Sequence, residues 1–283
     1  MIIIFENGRL GNQLFQYAGL RSIFPNEKII FFGFEDLNTL CTTKNTFFIS
    51  SVSRRQKITL KFIKQAIRAI SKLRIFSEIT ENSENLIDVV KVKRGIFKWV
   101  LVANGIFLQN NAIAENLNEA PLIKESILSM AKNWIEERGI CHSNPPLAFL
   151  HIRRGDYLIW PTKSHPAVLE LDWYRNAMQI LLDATPGLIF ILMGDDKHYL
   201  KDFFLESDGL VISENPPEVD MAIMSLCQSG VMSASSFAWW GAFFAKDRSS
   251  TKSLFIAPKF WAGRRKKKWF PKNFVSSWIF YID

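Results

Sequence analysis

The sequence predicts an α/β protein whose C-terminal half folds around a doubly wound, parallel sheet. Short apolar runs bounded by Gly, Pro and polar residues are typical of buried strands. Helical segments separate these runs, as they do in parallel α/β units. The chain has 283 residues with 48% hydrophobic composition, which exceeds one ordinary domain and can bury two modest cores. We therefore predict one domain over residues 1–145 and a second over residues 146–283.

The N-terminal half begins with a strand, a glycine-containing loop and a helix. The strand is Met1–Phe5, the loop is Glu6–Gln13 and the helix follows over Leu14–Ala18. Such a loop lets backbone N–H groups approach a ligand closely. Its glycine spacing does not match the dinucleotide fingerprint G-x-G-x-x-G, and a plain strand-to-helix turn looks the same. Lys28–Phe32 is a candidate second strand.

A helix over Leu122–Arg138 is predicted before the linker, which we place at Asn144-Pro145-Pro146 because adjacent prolines interrupt regular structure. The predicted strands beyond the linker are Leu147–Ile152, Leu188–Met193, Leu210–Ile212, Gly230–Ser233 and Leu254–Ala257. Ligands of open α/β sheets bind beyond the carboxyl ends of the strands. The residues that follow these strands are therefore the candidate site.

Two adjacent arginines, Arg153 and Arg154, follow the first of these strands. A guanidinium group stays charged at any relevant pH and binds a phosphate through two parallel hydrogen bonds, so the position suits a diphosphate. Gly155-Asp156 permits a tight turn. The alternative is a solvated loop with an internal ion pair.

A serine pair, Ser235 and Ser236, follows the predicted strand Gly230–Ser233 and begins a helix that runs to Phe244. Serines at a helix start either cap the helix or hold an anion against its first N–H groups, and capping is the commoner use. The large aromatic residues of this helix, Trp239 among them, are predicted to pack in the core.

Four segments together resemble the bacterial α-1,2-fucosyltransferases of glycosyltransferase family 11. They are Gly8–Ala18, His151–Tyr157, Asp220–Trp240 and Ala257–Trp261, in the family's order along almost the whole chain. The resemblance implies a GT-B architecture of two Rossmann-like domains facing a cleft. It also implies a GDP-β-L-fucose donor, inversion at the anomeric carbon, α-1,2 transfer to a galactoside hydroxyl, and no metal or other cofactor. The expected role is the synthesis of a surface glycan such as an O-antigen or capsule.

The resemblance assigns roles around the leaving diphosphate. Without a metal, the charge that builds on the β-phosphate must be met by fixed cations and N–H donors. Arg153 is the first choice for this contact, and Arg154 either shares it or holds Asp156 and the loop. The remaining contacts to the diphosphate are expected at the helix start, from Ser235, Ser236 and the Phe237 N–H.

His151 and Asp220 are expected at the nucleotide, since a carboxylate can accept two hydrogen bonds from guanine. The alternatives are a core histidine and an acidic residue in the first turn of a helix. Asp195, followed by Asp196, ends another strand, and the resemblance favours ribose or structural contacts there over a metal. Asn12, in the N-terminal loop, is expected to orient a sugar or a phosphate.

A general base is also needed, and Asp156 and His165 are the candidates. The chain departs from the family where Ala234 replaces an asparagine and Ala238 a serine, which removes an amide beside the diphosphate site. This keeps open a related transferase with another nucleotide sugar or linkage. A catalytically idle glycan- or nucleotide-binding protein is the other alternative, although the retained arginines and serines argue against it.

The net charge of +8 is concentrated in two stretches. The first is a helical stripe beside an apolar one, which fits either a membrane surface or a domain helix: Lys57, Lys61, Lys64, Arg68 and Lys72. The second is Arg264–Lys268, between Trp261 and Trp269. We expect this run to contact an anionic membrane that carries a lipid-linked oligosaccharide acceptor, and we expect no nucleic-acid partner because no recognised module accompanies it.

The sequence has no apolar run of about 18 residues and no signal peptide, so we expect a cytoplasmic protein, peripheral at the inner face of the cytoplasmic membrane. Its three widely spaced cysteines, Cys41, Cys141 and Cys227, argue against a disulfide framework and a zinc site.

Overall fold

The structure is a computed structural model that describes residues 1–49, 58–59, 62–67, 69, 75–81, 90–102, 106–110, 120–140, 146–204, 209–246, 253–272 and 274–283. The chain divides into two compact units, Met1–Leu122 and Ile123–Asp283. This division falls ahead of the boundary predicted between residues 145 and 146. The reason is that helix Glu125–Glu136, assigned from sequence to the N-terminal half, packs on helix Pro217–Leu226 of the second unit.

The first unit contains a six-stranded sheet in the order β4-β2-β1-β7-β5-β6. The strands of this sheet are β1 (Ile2–Phe5), β2 (Ile29–Phe32), β4 (Thr46–Ile49), β5 (Phe76–Glu81), β6 (Val90–Lys93) and β7 (Phe97–Val102). Two short strands, β3 (Cys41–Thr42) and β8 (Leu122–Ile123), pair with each other outside it. The helices described in this part of the chain include α1 (Leu10–Ile23) and α2 (Glu35–Leu40). All neighbours pair in parallel except β5 and β6, which are antiparallel. All four β1 residues are buried, as expected for a central strand covered on both faces.

The basic stripe predicted on one helix falls largely on residues outside those described: Lys57, Lys61, Arg68 and Lys72. Residues 62–67 are helical. Within them Ile63 and Ile67 pack against the core cluster that includes Phe5, and the Lys64 ammonium group lies 5.6 Å from the centre of the Phe5 ring. The apolar side of this segment therefore covers the sheet of its own unit, as the domain-helix alternative predicts.

The second unit contains a six-stranded sheet in the order β13-β12-β9-β14-β15-β16, with every neighbouring pair parallel. Its sheet strands are β9 (Leu147–Ile152), β12 (Ile189–Gly194), β13 (Leu210–Ile212), β14 (Ser229–Met232), β15 (Phe255–Pro258) and β16 (Ile279–Ile282), and a small hairpin pairs β10 (Pro161–Thr162) with β11 (His165–Pro166). Five of the six sheet strands match the sequence prediction within about one residue. The parallel, doubly wound sheet is therefore confirmed.

Helices cover this second sheet. They are α3 (Glu125–Glu136), α4 (Leu171–Ala184), α5 (Lys197–Phe203), α6 (Pro217–Leu226) and α7 (Ser236–Ala245), with short 3-10 helices at Gly155–Leu158 and Arg264–Lys266. Trp239 and Trp240 of α7 are fully buried, and the Trp239 indole N–H donates to the Ser276 hydroxyl at 2.8 Å. The tandem tryptophans are core residues that fix α7, as the sequence predicted. Among the described residues, no helix is both long enough and apolar enough to cross a bilayer.

Candidate functional site

The order of strands in the second unit determines where its candidate site lies. From central β9 the chain builds outward to β12 and β13, then returns to the other side of β9 with β14 and β15. The crevice beyond the carboxyl ends of β9 and β14 is thus a topological switch point, where open α/β sheets bind ligands. Arg153 follows β9 and Ser235 follows β14, so the topology brings the two predicted diphosphate contacts to this same edge.

Arg153 is held from two directions by carboxylates. Its guanidinium group lies 2.5 Å from the Asp156 carboxylate, in its own loop, and 3.0 Å from that of Asp195, which follows β12. The Arg153 side chain is only 15% exposed. Gly155 allows this close approach, because a Cβ there would lie 2.5 Å from Asp195 Oδ2. The guanidinium is a fixed cation with most of its orientation settled before any ligand binds.

Arg154 points into a different environment. Its guanidinium carbon lies 3.7 Å from the centre of the Tyr199 ring, and its Nε lies 3.5 Å from Asp196 Oδ2. Its backbone N–H donates to Asp195 Oδ1 at 2.9 Å. Asp196 also caps α5, because its side chain accepts the Tyr199 N–H. Arg154 therefore anchors the loop to α5 through Asp196 and Tyr199, whereas Asp156, its predicted partner, pairs with Arg153 instead.

The arginine loop is tied to the serine loop by Tyr157. Its hydroxyl donates to the Ala234 carbonyl at 2.6 Å, and burial raises the pKa of this phenol well above its ordinary value, so it stays a donor. The Arg153 guanidinium lies 5.5 Å from the centre of the Tyr157 ring. Ala234 is buried, and its backbone carbonyl makes this contact at the position where the family resemblance leads us to expect an asparagine.

The start of α7 is organised as an anion site would be. Ser235 is the N-cap residue of α7 and has an extended backbone. In the described structure its side chain does not make the capping hydrogen bond to the first N–H groups of the helix. The side chains of Ser236 and Phe237, which follow it, are half-buried. The first N–H groups of a helix have no intrahelical acceptor and carry the positive end of its dipole. Because the Ser235 side chain does not cap the helix, this geometry favours the second predicted use of the serines, which is to hold an anion at the helix start.

His151 is buried and bonded within the sheet. Its Nδ1 lies 2.8 Å from the Ser233 hydroxyl, and its ring lies 5.5 Å from that of Phe237. Burial, followed by the charges of Arg153 and Lys197, lowers the pKa of His151 to about 3. The ring is neutral at physiological pH and contributes no charge to a phosphate site. Its contacts match the core-histidine alternative.

Asp220 belongs to a second, more deeply buried polar cluster. Its Oδ1 accepts the Ser213 hydroxyl at 2.5 Å, and its Oδ2 lies 3.8 Å from the Lys197 ammonium group. Lys197 in turn donates to the Ser213 carbonyl, so the three residues close a ring. Burial raises the pKa of Asp220 to about 7, against the opposing effects of Ser213 and Lys197. Asp220 lies in the first turn of α6, as its helical alternative predicts, and its ionisation changes near neutral pH.

In the first unit, Asn12 lies near the start of α1. Its Oδ1 accepts the Gln109 side-chain amide at 2.7 Å. Gly8 has φ +85, and a Cβ at Gly8 would meet Asn12 Nδ2 at 2.4 Å, so the loop wraps closely over this amide. Glu6 stands at the carboxyl end of β1 and accepts Gln13 Nε2 at 2.9 Å.

Sequence reasoning missed several of these residues. Tyr199, Lys197 and Ser213 hold the predicted side chains in place, and Glu6 is a carboxylate at a strand end. A search for polar residues directly after each apolar strand would have found Ser213 and Glu6. The contact of Tyr199 with Arg154 left no signal, because the two residues approach only through the packing of α5.

The two predicted base candidates have partners. Asp156 is 57% exposed and paired with Arg153. His165 Nδ1 lies 2.9 Å from the Ser164 hydroxyl in the turn between β10 and β11. Among the described residues, no three His, Cys, Asp or Glu side chains are grouped so that they could hold a metal ion.

Comparison with known proteins assigns the family. The model of "Glycosyl transferase family 11" matches residues 1–282. The O-antigen biosynthesis glycosyltransferase WbnK of Escherichia coli is 29% identical over 165 residues, which are 56% of this chain and 52% of WbnK, about half its length. An alpha-1,2-colitosyltransferase of Escherichia coli is 27% identical over 279 residues, 92% of this chain and 91% of that protein. The galactoside alpha-(1,2)-fucosyltransferase 1 of Ateles belzebuth is 22% identical over 256 residues, 86% of this chain and 64% of that one.

Solved structures agree on the fold. POFUT1 in complex with GDP-fucose superposes with a TM-score of 0.54 at 12% identity, over 90% of this chain and 97% of that one. The fucosyltransferase NodZ from Bradyrhizobium gives 0.52 at 9% identity, over 86% and 93%. These likenesses confirm the predicted GT-B type α/β fold with Rossmann-like domains.

Proposed function

Because the chain belongs to glycosyltransferase family 11, we propose that it transfers L-fucose from GDP-β-L-fucose to a galactoside hydroxyl in α-1,2 linkage, with inversion, in the synthesis of an O-antigen or capsule. The observation that carries the proposal is the pairing at one switch point of a preset guanidinium, Arg153, with a helix start whose serine is not used as a cap. Such a site suits a diphosphate leaving group.

The proposed chemistry follows from charge. The acceptor oxygen attacks the sugar C1 opposite the nucleotide while the bond from C1 to the β-phosphate oxygen breaks, so negative charge accumulates on GDP. Arg153 and the first N–H groups of α7 stabilise that charge without reorganising. Asp195 fixes Arg153, and Tyr157 keeps the two loops in register. The reaction is proposed to need no metal or other cofactor.

The guanine base is assigned to the neighbourhood of Asp220. A carboxylate that accepts from guanine must be ionised, and Asp220 titrates near pH 7, so binding should respond to pH. His151 has no net charge in this range and serves as a packing residue beside the nucleotide.

The general base is proposed to be Asp156 or His165. Asp156 is paired with Arg153 at 2.5 Å, which weakens it as a proton acceptor. His165→Ala should therefore lower kcat about a hundredfold while GDP binding stays unchanged. Equal turnover in this variant would return the role to Asp156.

A second candidate is transfer of a different GDP-linked deoxyhexose. It is favoured by the colitosyltransferase relative, whose match extends along 92% of this chain. It is also favoured by Ala234, which stands where the family resemblance leads us to expect an asparagine amide. The reaction class and the site residues would be the same, and only the sugar pocket would differ.

The two candidates are separated by one assay. The purified chain is incubated in EDTA with a galactoside panel and each of GDP-fucose, GDP-colitose, GDP-mannose and UDP-galactose, and products are analysed for linkage. We expect an α-1,2-fucosylated galactoside. Efficient transfer from GDP-colitose alone would select the second candidate, and tight GDP binding without any product would indicate the idle binding protein.

A further inference from the structure

We propose that the second unit carries a docking surface for an anionic lipid bilayer, next to the arginine loop. This docking surface consists of the exposed apolar residues Leu158, Ile159 and Phe270 and the exposed cations Lys163, Arg265, Lys266, Lys267 and Lys268. It is formed by two chain segments, 155–170 and 259–272.

Several contacts join the two segments into one surface. The Trp160 and Phe270 rings have centroids 5.8 Å apart, and Glu170 accepts from the guanidinium groups of Arg264 and Arg265. Strand β11 also contacts the 3-10 helix Arg264–Lys266. The second segment folds back on itself, since the Ala262 N–H donates to the Phe270 carbonyl at 3.2 Å. The apolar and basic parts are therefore held side by side.

The apolar part is unusually open for its residue types. Ile159 is 61% exposed, Leu158 47% and Phe270 45%. Trp160, which follows Ile159 in the chain and contacts Phe270, stacks on Tyr157 with ring centroids 4.9 Å apart, so the patch is joined to the loop that carries Arg153. Single exposed apolar residues need no explanation, whereas a neighbouring set framed by cations is typical of a membrane-contacting face.

Charge distinguishes this face further. The two segments contain eight basic and two acidic residues, a net charge of +6 out of +8 for the whole chain. Both acidic residues are already paired, Asp156 with Arg153 and Glu170 with Arg264 and Arg265. Partial burial opposes ionisation of Glu170, but a backbone hydrogen bond and the two guanidinium groups outweigh it and keep the pKa of that carboxyl below its ordinary value. Among the described residues, no ion pair engages Lys266, Lys267 or Lys268.

The combination of exposed apolar side chains with exposed cations favours a lipid surface over other anionic partners. Phosphate headgroups attract each nearby lysine, and long lysine stems place their charges at the headgroup level while neighbouring apolar side chains enter the acyl boundary. A nucleic acid would use the cations but would leave Leu158 and Ile159 in water. Docking on the bilayer would also orient the arginine loop toward a lipid-linked acceptor. Only this consequence rests on the proposed function.

The test is sedimentation of the whole protein with vesicles of phosphatidylcholine and with vesicles of equal parts phosphatidylcholine and phosphatidylglycerol. We expect binding to the anionic vesicles only. Changing Lys266, Lys267 and Lys268 together to glutamine should lower the partition coefficient at least about tenfold, since each cation near the surface contributes. Ile159→Ser should lower binding about threefold, in high salt as well, because its contribution is apolar.

Matched controls keep the test specific. The triple change Lys132→Gln, Arg175→Gln and Lys201→Gln removes the same charge from exposed sites elsewhere in the second unit, and Met130→Ser removes an apolar side chain that is 51% exposed. Both controls should bind vesicles like the parent protein. Equal loss in the charge controls, or unchanged binding in the docking-surface variants, would overturn the proposal. Loss of heparin binding alone, with vesicle binding intact, would also overturn it.

The readout is independent of catalysis. GDP affinity and transfer to a soluble galactoside should remain unchanged in the lysine variants. A protein that binds vesicles through this surface but transfers no sugar would disprove the proposed function and leave the docking surface standing.

Discussion

Two polar clusters lie at the same edge of the second sheet, and their carboxylates behave differently. Around Arg153 and Arg154, each aspartate is paired with a guanidinium at 2.5 to 3.5 Å and stays partly exposed. Around Asp220, the carboxylate is buried, its partners are a hydroxyl and a lysine 3.8 Å away, and its pKa rises to about 7.

The difference shows how one sheet edge provides two kinds of electrostatic site. Permanent guanidinium charge with compensating carboxylates suits an anion whose charge grows during reaction. A carboxylate with little compensation has an ionisation that depends on its surroundings, which suits hydrogen bonding to a neutral ring. The arginine cluster should therefore control catalysis, and the Asp220 cluster should control nucleotide affinity and its pH dependence.

The largest expected effect is on the arginine cluster. Arg153→Ala removes the fixed cation at the β-phosphate and should lower kcat at least about 10²- to 10³-fold. Steady-state kinetics measures the loss, and circular dichroism establishes that the fold persists. Arg175→Ala, at an exposed arginine paired with Asp172, is the matched control and should keep full activity. Ordinary turnover in Arg153→Ala would place the diphosphate elsewhere.

We expect a smaller loss of kcat when Arg153 keeps its charge but loses the negative charge of Asp195, which holds the guanidinium in position. Asp195→Asn retains the shape but weakens the hold on the Arg153 guanidinium, and we expect kcat to fall about ten- to a hundredfold through misplacement. Asp172→Asn, at an exposed aspartate, is the control. If Asp195 acts through Arg153, the double variant with Arg153→Ala should be no worse than Arg153→Ala alone, and strictly multiplied losses would argue against the coupling.

We expect the Asp220 cluster to make the affinity for GDP depend on pH. If the ionised carboxylate accepts from guanine, GDP binds the deprotonated protein, so affinity is full above pH 7 and falls as the pH drops through the Asp220 pKa. Between pH 8.5 and 5.5 we expect Kd to rise about thirtyfold for one proton at this pKa. Asp220→Asn should bind more weakly at high pH and lose this part of the dependence. Parallel pH profiles for parent and variant would make Asp220 a purely structural residue.

The smallest effect concerns the link between the two loops. Tyr157→Phe removes the hydrogen bond to the Ala234 carbonyl and should lower the free energy of unfolding by about 1 to 2 kcal/mol, because the partly buried carbonyl loses its donor. Chemical denaturation measures this change. The control is Tyr281→Phe, which removes the tyrosine oxygen that accepts the Ser276 N–H elsewhere in the unit. The activities of the two variants are then compared. Only Tyr157→Phe should also reduce kcat.

The strands of the second sheet were predictable because burial on both faces leaves short, continuous apolar runs. The positions of Arg153, Asp195 and Ser235 followed from those strand ends. The first sheet was harder, since β6 (Val90–Lys93) alternates lysine with valine at the sheet edge and lacks such a run. The last strand, Ile279–Ile282, was missed although it completes the second sheet.

Pairing between distant residues was not predictable from the sequence. Arg153 and Asp195 are 42 positions apart, and only the parallel pairing of β9 with β12 brings their strand ends together. The environment of Asp220 depends similarly on Ser213 and Lys197 from two other elements. The compact units divide between residues 122 and 123, ahead of the predicted boundary, and the packing of α3 on α6 that accompanies this division leaves no local mark in the sequence.

We propose that the protein binds the diphosphate through its own groups, without a metal ion. Isothermal titration of GDP and guanosine into the protein in EDTA, repeated with Mg²⁺, measures this directly. We predict the same GDP affinity in both buffers, far tighter than that of guanosine, with the difference lost in Arg153→Ala. GDP binding that disappears in EDTA, or a GDP affinity no better than that of guanosine, would contradict the account.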